Sequence, residues 1–390
     1  MTGHPDGPVQ AAWRTAYETA STAASALPEL QMDLHEAVGR VISRDITALT
    51  DLPSFDSSAM DGWIVAGRGP WKVSGRILAG DTRSGRLQPG QAMEITTGAA
   101  IPDGARGVLR YERGQRAGCM IDGEVEAGAD IRRRGLECHA GDVLAKEGEP
   151  FTPALAGLAA AAGHDRVWVR RPAVVDVLVL GDELLDRGCS SRGRVRDALS
   201  PMLAPWLQRL GAVVSVRRCR DDLDLLTNAL AASTADILIT TGGTGKGAGD
   251  HVHAAMKALA YTALVNGVSV RPGHPMVLAA PSATRRSGRL LIGLPGNPLA
   301  AVSGLLTLVV PVLHSLNGRR PQSLRRVRLD ADVQGHPSDT LLVPVRGATP
   351  LLKAGPAMLM GLARADALAV IPEGGAAAGQ VVDVLEILRT

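Results

Sequence analysis

The chain has 390 residues, of which 45% are hydrophobic and 21% are charged, and its formal net charge is +3. This composition is typical of a globular protein with about two to four domains of roughly 100–200 residues each. The near-balanced charge gives no sign of a nucleic-acid partner, so none is expected. The four cysteines form no C-x-x-C pair, which favours reduced thiols and a cytoplasmic location over a disulfide framework.

The first 172 residues predict helices near both ends of the segment, with short strands between them. The predicted helices are Ala11–Ala26, Leu34–Val41 and Ala154–Ala162. Glycine-rich alternating segments between Asp51 and Cys138 predict short strands joined by tight turns. The clearest of these strands are Trp71–Leu78, Gln91–Thr96 and Gly107–Tyr111. Val167–Pro172 contains two arginines and a proline, and we interpret it as a linker.

The middle of the chain alternates between strands and helices, which predicts a parallel α/β sheet. The predicted strands are Ala173–Leu180, Val213–Arg217, Asp236–Thr240 and Leu290–Leu294. The predicted helices are Ser200–Leu210, Asp221–Ala232, Asp250–Ala260 and 297–317. No helix is predicted beyond Arg319, where a small β domain is predicted from the strands Arg326–Val333, Thr340–Val345, Ala367–Ile371 and Val381–Ile387.

Leu294–Gly318 contains no Asp, Glu, Lys or Arg, and an apolar span of about 18 residues can also cross a membrane. Pro311 and His314 interrupt this stretch, and Asn297-Pro298 supplies a helix N-cap and a first helical position. We therefore expect a buried helix that packs on a sheet, and no membrane partner.

The segment ITTGGTGKGAGD, from Ile239 to Asp250, runs from an apolar strand into glycines. It is not a P-loop, because Thr240 and Gly247 replace the first glycine and the Ser or Thr of that motif. A dinucleotide fold needs an acid about 20 residues beyond its glycines, and none occurs from residue 251 to 329. Glycines between a strand and a helix still favour close approach of an anion. The alternative is a flexible turn in which Asp250 caps the following helix.

Carboxylates follow other strands of the same predicted sheet. They are Asp182, Glu183, Asp197, Asp221 and Asp222. Because ligands gather at the carboxyl ends of strands in α/β sheets, we expect several of these acids to lie near the glycine loop. Mg²⁺ prefers one or two carboxylates together with phosphate oxygens, so the pattern suggests a magnesium-assisted phosphate site. For any one acid, the alternative is a helix cap or a solvated surface group.

Several short motifs together resemble the molybdopterin molybdenumtransferases, the MoeA-type family that includes the gephyrin E domain. In chain order they are PSFDSSAMDG (53–62), TTGA (96–99) with IPDG (101–104), IRRRG (131–135), GDE (181–183), RDD (220–222), the glycine loop through Asp250, and LPGNP (294–298). The resemblance extends over about residues 10–390. Trp63 stands where the family usually has Tyr.

The resemblance implies a multidomain α/β protein in which a three-layer molybdopterin-binding α/β domain accompanies a split helical N-terminal domain, an inserted β domain and a C-terminal β barrel. The expected boundaries are 1–54 with 141–172 for the split domain, 55–140 for the inserted domain, 173–319 for the α/β domain and 320–390 for the barrel. The resemblance also implies a homodimer, with active sites between the α/β domain of one subunit and the N-terminal region of its partner. A molybdopterin adenylyltransferase and apo-molybdoenzymes are its further candidate partners.

The activity that the resemblance implies is Mg²⁺-dependent transfer of molybdate to adenylylated molybdopterin, with release of AMP. The catalytic groups it implies are Asp61, Thr97, Glu183, Asp221 and Asp250. Glu183, Asp221 and Asp250 are also the implied metal ligands. The implied substrate-binding residues are Ser58, Gly242, Gly243, Thr244, Arg271, Pro272, Asn297 and Arg346.

The chain departs from the family pattern where anions are expected to bind. Lysines are replaced at Gly267, Arg271 and His274, serines at Gly245, Ala300 and Pro356, and an aspartate at Cys138. A hydroxyl that bonds to a charged partner contributes roughly 1.5–3 kcal/mol, so these losses weaken direct contacts to an oxyanion. Two hypotheses follow: a working insertase with an altered molybdate pocket, or a non-catalytic paralogue that binds molybdopterin as a carrier or scaffold.

Overall fold

A computed structural model of the chain describes residues 10–82, 85–245, 251–282, 289–319, 323–351 and 355–387. Its first elements are the strand Ala11–Ala12 and the helix Trp13–Thr22, so the prediction of one helix over 11–26 was too long at both ends. Ala11 and Ala12 pair in parallel with Val268 and Ser269, which draws them into a sheet. Near the helix end, the hydroxyls of Ser21 and Thr22 bond back to the carbonyls of Tyr17 and Glu18.

In the N-terminal region, strands that lie far apart in the chain pair with each other. Glu29–Asp33 pairs antiparallel with Arg166–Arg170, so the interpretation of Val167–Pro172 as a linker was wrong for its first four residues. Val167 and Val169 are buried, and Arg166 pairs with Asp33 at 2.9 Å, which explains arginines in a strand. The remaining elements of this region are the helices Leu34–Ala37 and Pro153–Ala161 and the paired strands Ile46–Thr47 and Val143–Ala145.

The segment between these elements folds into a six-stranded sheet. Its strand order is Gly107–Arg110, Gly62–Val65, Gln91–Ile95, Trp71–Ile77, Met120–Asp122 and Gln115–Ala117. The three strands predicted here are confirmed to within a residue or two at their ends. A smaller pair, Ser57–Ser58 with Ile131–Arg132, brings the PSFDSSAMDG segment beside the arginine-rich turn.

The central α/β domain contains a second six-stranded sheet. Its strand order is Val213–Cys219, Val174–Leu180, Ile237–Thr241, Leu290–Leu294, Val277–Pro281 and Tyr261–Asn266. The first four strands are parallel, and the last two are antiparallel, so the sheet is mixed rather than purely parallel. Its helices are Ser200–Arg209, Leu223–Ala232, Val252–Ala258 and the long helix Pro298–Leu316, and two short strands, Leu184–Leu185 and Val195–Arg196, pair beside it.

The long helix Pro298–Leu316 has 19 residues and is long and apolar enough to cross a membrane. However, 83% of its most apolar 18-residue stretch is buried inside the protein. The prediction of a buried helix is therefore confirmed. Its middle turn, Leu305–Val309, is π-helical. Trp13 of the N-terminal helix donates a hydrogen bond from its indole Nε1 to Thr307 Oγ1 at 3.1 Å, so the first helix packs directly on this one.

The C-terminal region is a β domain, as expected, and its main sheet also includes strands from elsewhere in the chain. The strand order is Ala11–Ala12, Val268–Arg271, Thr340–Arg346, Ala367–Ile371, Val381–Glu386 and Arg325–Arg328, with Thr349–Pro350 paired to Thr340–Arg346. Val333–Gln334 pairs separately with Gly375–Ala376. The structure also contains a five-residue helix, Met360–Arg364, so the prediction that helices stop at Arg319 was wrong. Leu362 of this helix is buried in the main core, which explains why the helix forms.

Candidate functional site

The glycine turn lies at the carboxyl ends of two neighbouring parallel strands. Gly242 and Gly243 have φ values of +85° and +67°, which only glycine adopts readily. The Gly242 N–H donates to Leu294 O at 2.8 Å, and this bond fixes the turn against the start of the LPGNP segment. Thr244 is buried beneath the turn, with its methyl group against Gly293. Of the residues predicted here, Asp250 lies outside the described residues, together with Lys246 and Gly247.

Two threonine hydroxyls lie buried just before this turn. Thr240 and Thr241 are 0% and 1% exposed, and neither hydroxyl has a hydrogen-bond partner among the described residues. A buried hydroxyl without a partner has a desolvation cost of roughly 1–3 kcal/mol. The strand end therefore keeps polar groups that a bound ligand or the neighbouring loop can satisfy.

Acidic groups converge at the adjacent strand ends. Asp221 Oδ2 accepts a hydrogen bond from the Asp182 N–H at 3.0 Å, which joins the segment after Val174–Leu180 to the segment after Val213–Cys219. Glu183 folds back over Gly181, whose φ of +128° suits glycine, and a Cβ on that residue would lie 2.8 Å from Glu183 Oε2. The pKa of the Cys219 thiol is raised by burial and then by the negative charges of Asp221, Asp222 and Asp182. Arg218 balances part of this charge, because its Nη2 donates to Gly181 O and its Nη1 to Asp186 Oδ1, both at 2.8 Å.

Two of the predicted acids accept backbone N–H groups at the starts of helices. Asp222 Oδ1 accepts the Leu225 N–H at 2.8 Å and caps the helix Leu223–Ala232. Asp197 Oδ1 accepts the N–H groups of Leu199 and Ser200, at 2.9 and 3.1 Å, at the start of the helix Ser200–Arg209. The structural alternative therefore holds for Asp197 and Asp222, whereas Asp221 turns its carboxylate toward the backbone of Asp182.

The donors near the glycine turn fit a magnesium ion that also binds substrate phosphate. No group of three or more His, Cys, Asp or Glu side chains within the described residues could hold a metal by itself. Glu183 and Asp221 supply carboxylates from neighbouring strand ends, and Mg²⁺ characteristically takes one or two carboxylates plus phosphate oxygens and water. Glu183 and Asp221 are therefore the residues that would hold such an ion, and they would supply two of its ligands.

A second group of predicted residues lies in the inserted β domain. Thr97 donates to Asp61 Oδ1 through both its N–H, at 2.6 Å, and its hydroxyl, at 3.0 Å. Asp61 is exposed, so these two bonds orient a carboxylate that still faces solvent. Ser58 is fully buried, and its hydroxyl donates to Met60 O at 2.6 Å, which supports the loop that carries Asp61. Ser58 therefore stabilises this loop, and its substrate-binding role remains a prediction.

The arginine-rich turn is held by two aspartates. Arg133 Nη1 lies 2.6 Å from Asp56 Oδ2, and Arg134 Nε lies 2.5 Å from Asp51 Oδ2. The pKa of Asp56 is lowered, first by the Arg134 backbone N–H and then, against an opposing effect of burial, by the Arg133 side chain. A cleft of about 400 Å³ lies beside this turn. Cys138, one of the substituted positions, bonds through its backbone to Leu52 nearby.

No hydrogen bond or ion pair within the described residues connects the Asp61–Thr97 group with the Asp221–Asp182 group. The two groups belong to different domains of the chain, and each is assembled by contacts inside its own domain. Among the described residues of one chain, hydrogen bonds therefore divide the residues expected to act together into two groups.

Arg271 and Pro272 lie in a turn that packs on the start of the long helix. A Cβ on Gly273, whose φ is +124°, would lie 3.1 Å from Ser303 Cβ and 3.4 Å from Ala300 O. The Arg271 Nε donates to Asp339 Oδ2 at 2.6 Å. His274, where a family lysine is replaced, places its Nδ1 3.0 Å from Val268 O and its Nε2 3.0 Å from Gln10 Nε2. Both substituted side chains thus have partners within the protein.

The start of the long helix is capped from the C-terminal region. Pro298 has no N–H, and the N–H groups of Leu299 and Ala300 both donate to Pro356 O, at 2.9 and 3.3 Å. Asn297 occupies the N-cap position, but its side chain makes no capping hydrogen bond. The free N–H groups that would attract an anion at a helix start are therefore already used here.

Arg346 does not join Arg271 in this structure. Arg271 pairs with Leu341 on the neighbouring strand, and Arg346 lies five residues further along that strand, about 17 Å away at the usual rise per residue. Arg271 thus lies beside the start of the strand Thr340–Arg346, whereas Arg346 lies at its end.

Asp339, the Pro356 carbonyl and Tyr111 were not predicted. Asp339 is 68 residues from Arg271 in the chain, and no local pattern indicates the pairing. Pro356 acts through its backbone, which the side-chain identity does not reveal. Tyr111 packs edge-on against Trp63, with ring centroids 4.6 Å apart, and its pKa is raised by burial and then by Glu94 and Asp61. The signal that could have indicated Tyr111 is an aromatic residue at the end of the strand that pairs with Gly62 and Trp63.

The fold and its two residue clusters define a multidomain protein whose central α/β domain carries acids and a glycine turn at its strand ends. Family models match nearly the whole chain: the MoeA N-terminal region (domain I and II) at residues 8–163, a probable molybdopterin binding domain at 176–315, and the MoeA C-terminal region (domain IV) at 320–387. The chain belongs to the MoeA family.

Relatives and solved structures match over similar lengths. A molybdopterin molybdenumtransferase of Staphylococcus aureus (strain Mu50) is 28% identical over 392 residues, which cover 93% of this chain and 92% of the relative. One from Staphylococcus epidermidis is 28% identical over 389 residues, with 91% and 90% coverage. A crystal structure of the molybdopterin biosynthesis moeA protein from Pyrococcus horikoshii OT3 covers 97% of this chain and 100% of its own, with a TM-score of 0.79 and 22% identity. A second Pyrococcus structure, of a molybdopterin biosynthesis moea protein, has a TM-score of 0.78 at 25% identity, with 97% and 99% coverage. The resemblance and the fold class predicted from the sequence are confirmed.

Proposed function

We propose that this chain is a molybdenum insertase, a transferase that moves molybdate onto adenylylated molybdopterin with release of AMP and with Mg²⁺ as cofactor. The observation that carries the proposal is the junction of Asp221 with Asp182-Glu183 beside the Gly242-Gly243 turn, in a chain of the MoeA family. Carboxylates beside an anion-binding turn are suited to a reaction that breaks a phosphoanhydride bond.

In this proposal the glycine turn positions the phosphates, because its backbone can approach an anion without a side chain in the way. Glu183 and Asp221 would hold the magnesium ion, which supplies charge neutralisation on the phosphate oxygens when it is bound. Asp61 and Thr97 would contact the substrate from the N-terminal region, with the Thr97 bonds keeping the Asp61 carboxylate in one orientation. Arg271 supplies a cation for molybdate.

The proposal includes a homodimer in the cytoplasm, with each active site built from the α/β domain of one subunit and the N-terminal region of the other. Asp61 and Asp221 belong to different domains, and no hydrogen bond or ion pair among the described residues links their groups, which supports this arrangement. A molybdopterin adenylyltransferase and apo-molybdoenzymes are the proposed further partners, because they would supply the substrate and accept the product.

A direct assay tests the activity. The purified protein is incubated with adenylylated molybdopterin, Mg²⁺ and molybdate, and both AMP release and molybdenum incorporation are followed over time. We expect molybdate-dependent turnover that Asp221→Ala abolishes, because the variant loses the carboxylate at the junction of the two strand ends. Asp224→Ala is the matched control, since Asp224 is an exposed acid in the following helix and should leave the rate unchanged. Tight substrate binding without molybdate-dependent turnover would reject the insertase.

A second function, a molybdopterin-binding carrier or scaffold without catalysis, is favoured by one specific observation. The two N–H groups at the start of the long helix are occupied by the Pro356 carbonyl, next to the substituted Ala300. In a carrier, adenylylated molybdopterin would bind, but adding molybdate would not change the release of AMP. The same assay therefore separates the two functions.

A further inference from the structure

Arg271 is held by a carboxylate that belongs to a different region of the chain. Its Nε lies 2.6 Å from Asp339 Oδ2, while the Arg271 side chain is 61% exposed and the Asp339 side chain only 12%. Among the described residues, this is the one hydrogen bond that the guanidinium makes. The terminal nitrogens of Arg271 therefore remain available toward solvent.

Asp339 is itself fixed by the sheet and by a neighbour. The residues after it, Thr340 and Leu341, pair in register with Val270 and Arg271, so Asp339 lies just before the strand that neighbours the arginine, and the arginine side chain reaches back to it. His336 Nδ1 lies 3.3 Å from the same Asp339 oxygen. A nearly buried carboxylate with these two contacts constrains the guanidinium much more than an exposed partner could.

Other donors at this place are already used. The N–H groups of Leu299 and Ala300 bond to Pro356 O, and the ring nitrogens of His274 lie against Val268 O and Gln10. An oxyanion that approaches this turn would therefore depend mainly on the terminal nitrogens of Arg271. A guanidinium held through Nε presents those two nitrogens in the fixed planar arrangement that suits an oxyanion.

From this geometry we infer that Asp339 is a positioning residue that orients Arg271 for a tetrahedral oxyanion. The inference rests on the proposed function, in which that oxyanion is molybdate. Asp339 does not touch the anion itself; it acts through the Nε of Arg271.

The test measures molybdate binding by equilibrium dialysis of the full-length protein, with molybdenum quantified by mass spectrometry. We expect Asp339→Ala to raise the Kd about three- to tenfold, because an exposed arginine loses its orientation. Asp339→Asn should stay within about twofold of the wild type, because its amide oxygen still accepts from Nε. In the Arg271→Ala background, Asp339→Ala should have no further effect. Glu386→Gln is the matched control, since Glu386 pairs with Arg325 Nε at 2.7 Å elsewhere in the same sheet.

Each other result overturns the inference. An equal loss from Asp339→Ala in both backgrounds would mean a general structural role, and unchanged or tighter binding by Asp339→Ala would mean that orientation does not matter. If melting temperatures show that Asp339→Ala does not fold, Arg271→Lys decides: it keeps the charge, lacks the Nε–H and the fork, and must weaken binding. Wild-type-like binding by Arg271→Lys would overturn the inference. Failure of the wild type to bind molybdate would overturn both this inference and the molybdate step of the proposed function.

Discussion

His314 lies near the end of the long buried helix and carries no charge in the folded protein. Burial, and then the positive charge of Arg319, lower its pKa from 6.5 to about 4. Arg319 Nη1 lies 3.2 Å from His314 Nε2, and because arginine can only donate, the imidazole accepts through that nitrogen. The folded protein therefore favours the neutral form of this half-buried imidazole.

This histidine predicts a pH dependence of stability. Below pH 6.5 the unfolded chain binds a proton at His314 that the folded protein excludes until about pH 4, so the free energy of unfolding falls as the pH drops through this window. The loss is on the order of 2–3 kcal/mol, and it is absent above the unfolded pKa. Urea unfolding at pH 7.5, 5.5 and 4.5 should show a shallower decline for His314→Gln than for the wild type.

The exposed His35 provides the control for this experiment, and His35→Gln should follow the wild-type pH dependence. If His314→Gln loses stability between pH 7.5 and 4.5 as steeply as the wild type, the buried imidazole does not set this pH dependence.

Residues of the same type play different parts at the strand ends. Asp221 accepts from the Asp182 backbone, whereas Asp222, the next residue, caps a helix. From the sequence we predicted that all these acids lie at strand ends, and the structure has them there. Their hydrogen-bond partners could not be predicted. Which N–H group a carboxylate meets depends on the path of the following few residues, and the composition of the segment does not encode that path.

At the scale of elements, the helix Leu223–Ala232 depends on its cap. The Asp222 side chain accepts the Leu225 N–H, one of the four donors that have no partner inside the helix. Asp222→Ala should lower the free energy of unfolding by about 1 kcal/mol, measured by urea denaturation. Asp224→Ala, in the first turn but without a capping bond, should cost clearly less, and equal losses in the two variants would contradict the cap assignment.

Long, strongly patterned elements were predictable, and short paired ones were not. The apolar runs around Val174–Leu180 and Pro298–Leu316 predicted a buried strand and a buried helix, and both are found. Val167–Pro172 was interpreted as a linker because its arginines mask two buried valines. These valines belong to the strand Arg166–Arg170, which meets Glu29–Asp33 only after folding. The antiparallel strands Tyr261–Asn266 and Val277–Pro281 were missed because neither is clearly periodic alone. They pair with each other across a connection that contains a strand of another sheet, Val268–Arg271.

The candidate site shows the same limit. Motif positions indicated Asp61, Thr97 and Asp221, and the structure gives each of them a defined hydrogen-bonded setting. The contact between Arg271 and Asp339 arises from the register of two strands that belong to distant segments. Sequence reasoning has no access to such a register, so it assigned the arginine but not its partner.

At the scale of the whole molecule, a shared active site predicts complementation between two inactive variants. Asp61→Ala and Asp221→Ala damage different clusters, so a mixed dimer retains one site with both clusters intact if each site spans two subunits. We expect the mixed dimer, purified through two different tags, to show about half of the wild-type AMP release, because a twofold dimer has two equivalent sites. Each variant alone should be inactive.

The control is a doubly tagged dimer in which both chains carry Asp61→Ala, which should show no recovery. A stable mixed dimer without activity would contradict a site shared between subunits and would place both clusters in sites within one chain.

The sheet that joins Ala11–Ala12, Val268–Arg271 and Thr340–Arg346 also limits how the family can recombine. Arg14 at the start of the chain pairs with Asp383 near its end, and Arg271 pairs with Asp339, so contacts across this sheet join segments from all three parts of the sequence. A chimaera that takes only the C-terminal region from a relative at 28% identity would exchange one half of each pair and keep the other. A graft of the C-terminal region is therefore best designed together with the segments Ala11–Ala12 and Val268–Arg271, which pair in the same sheet.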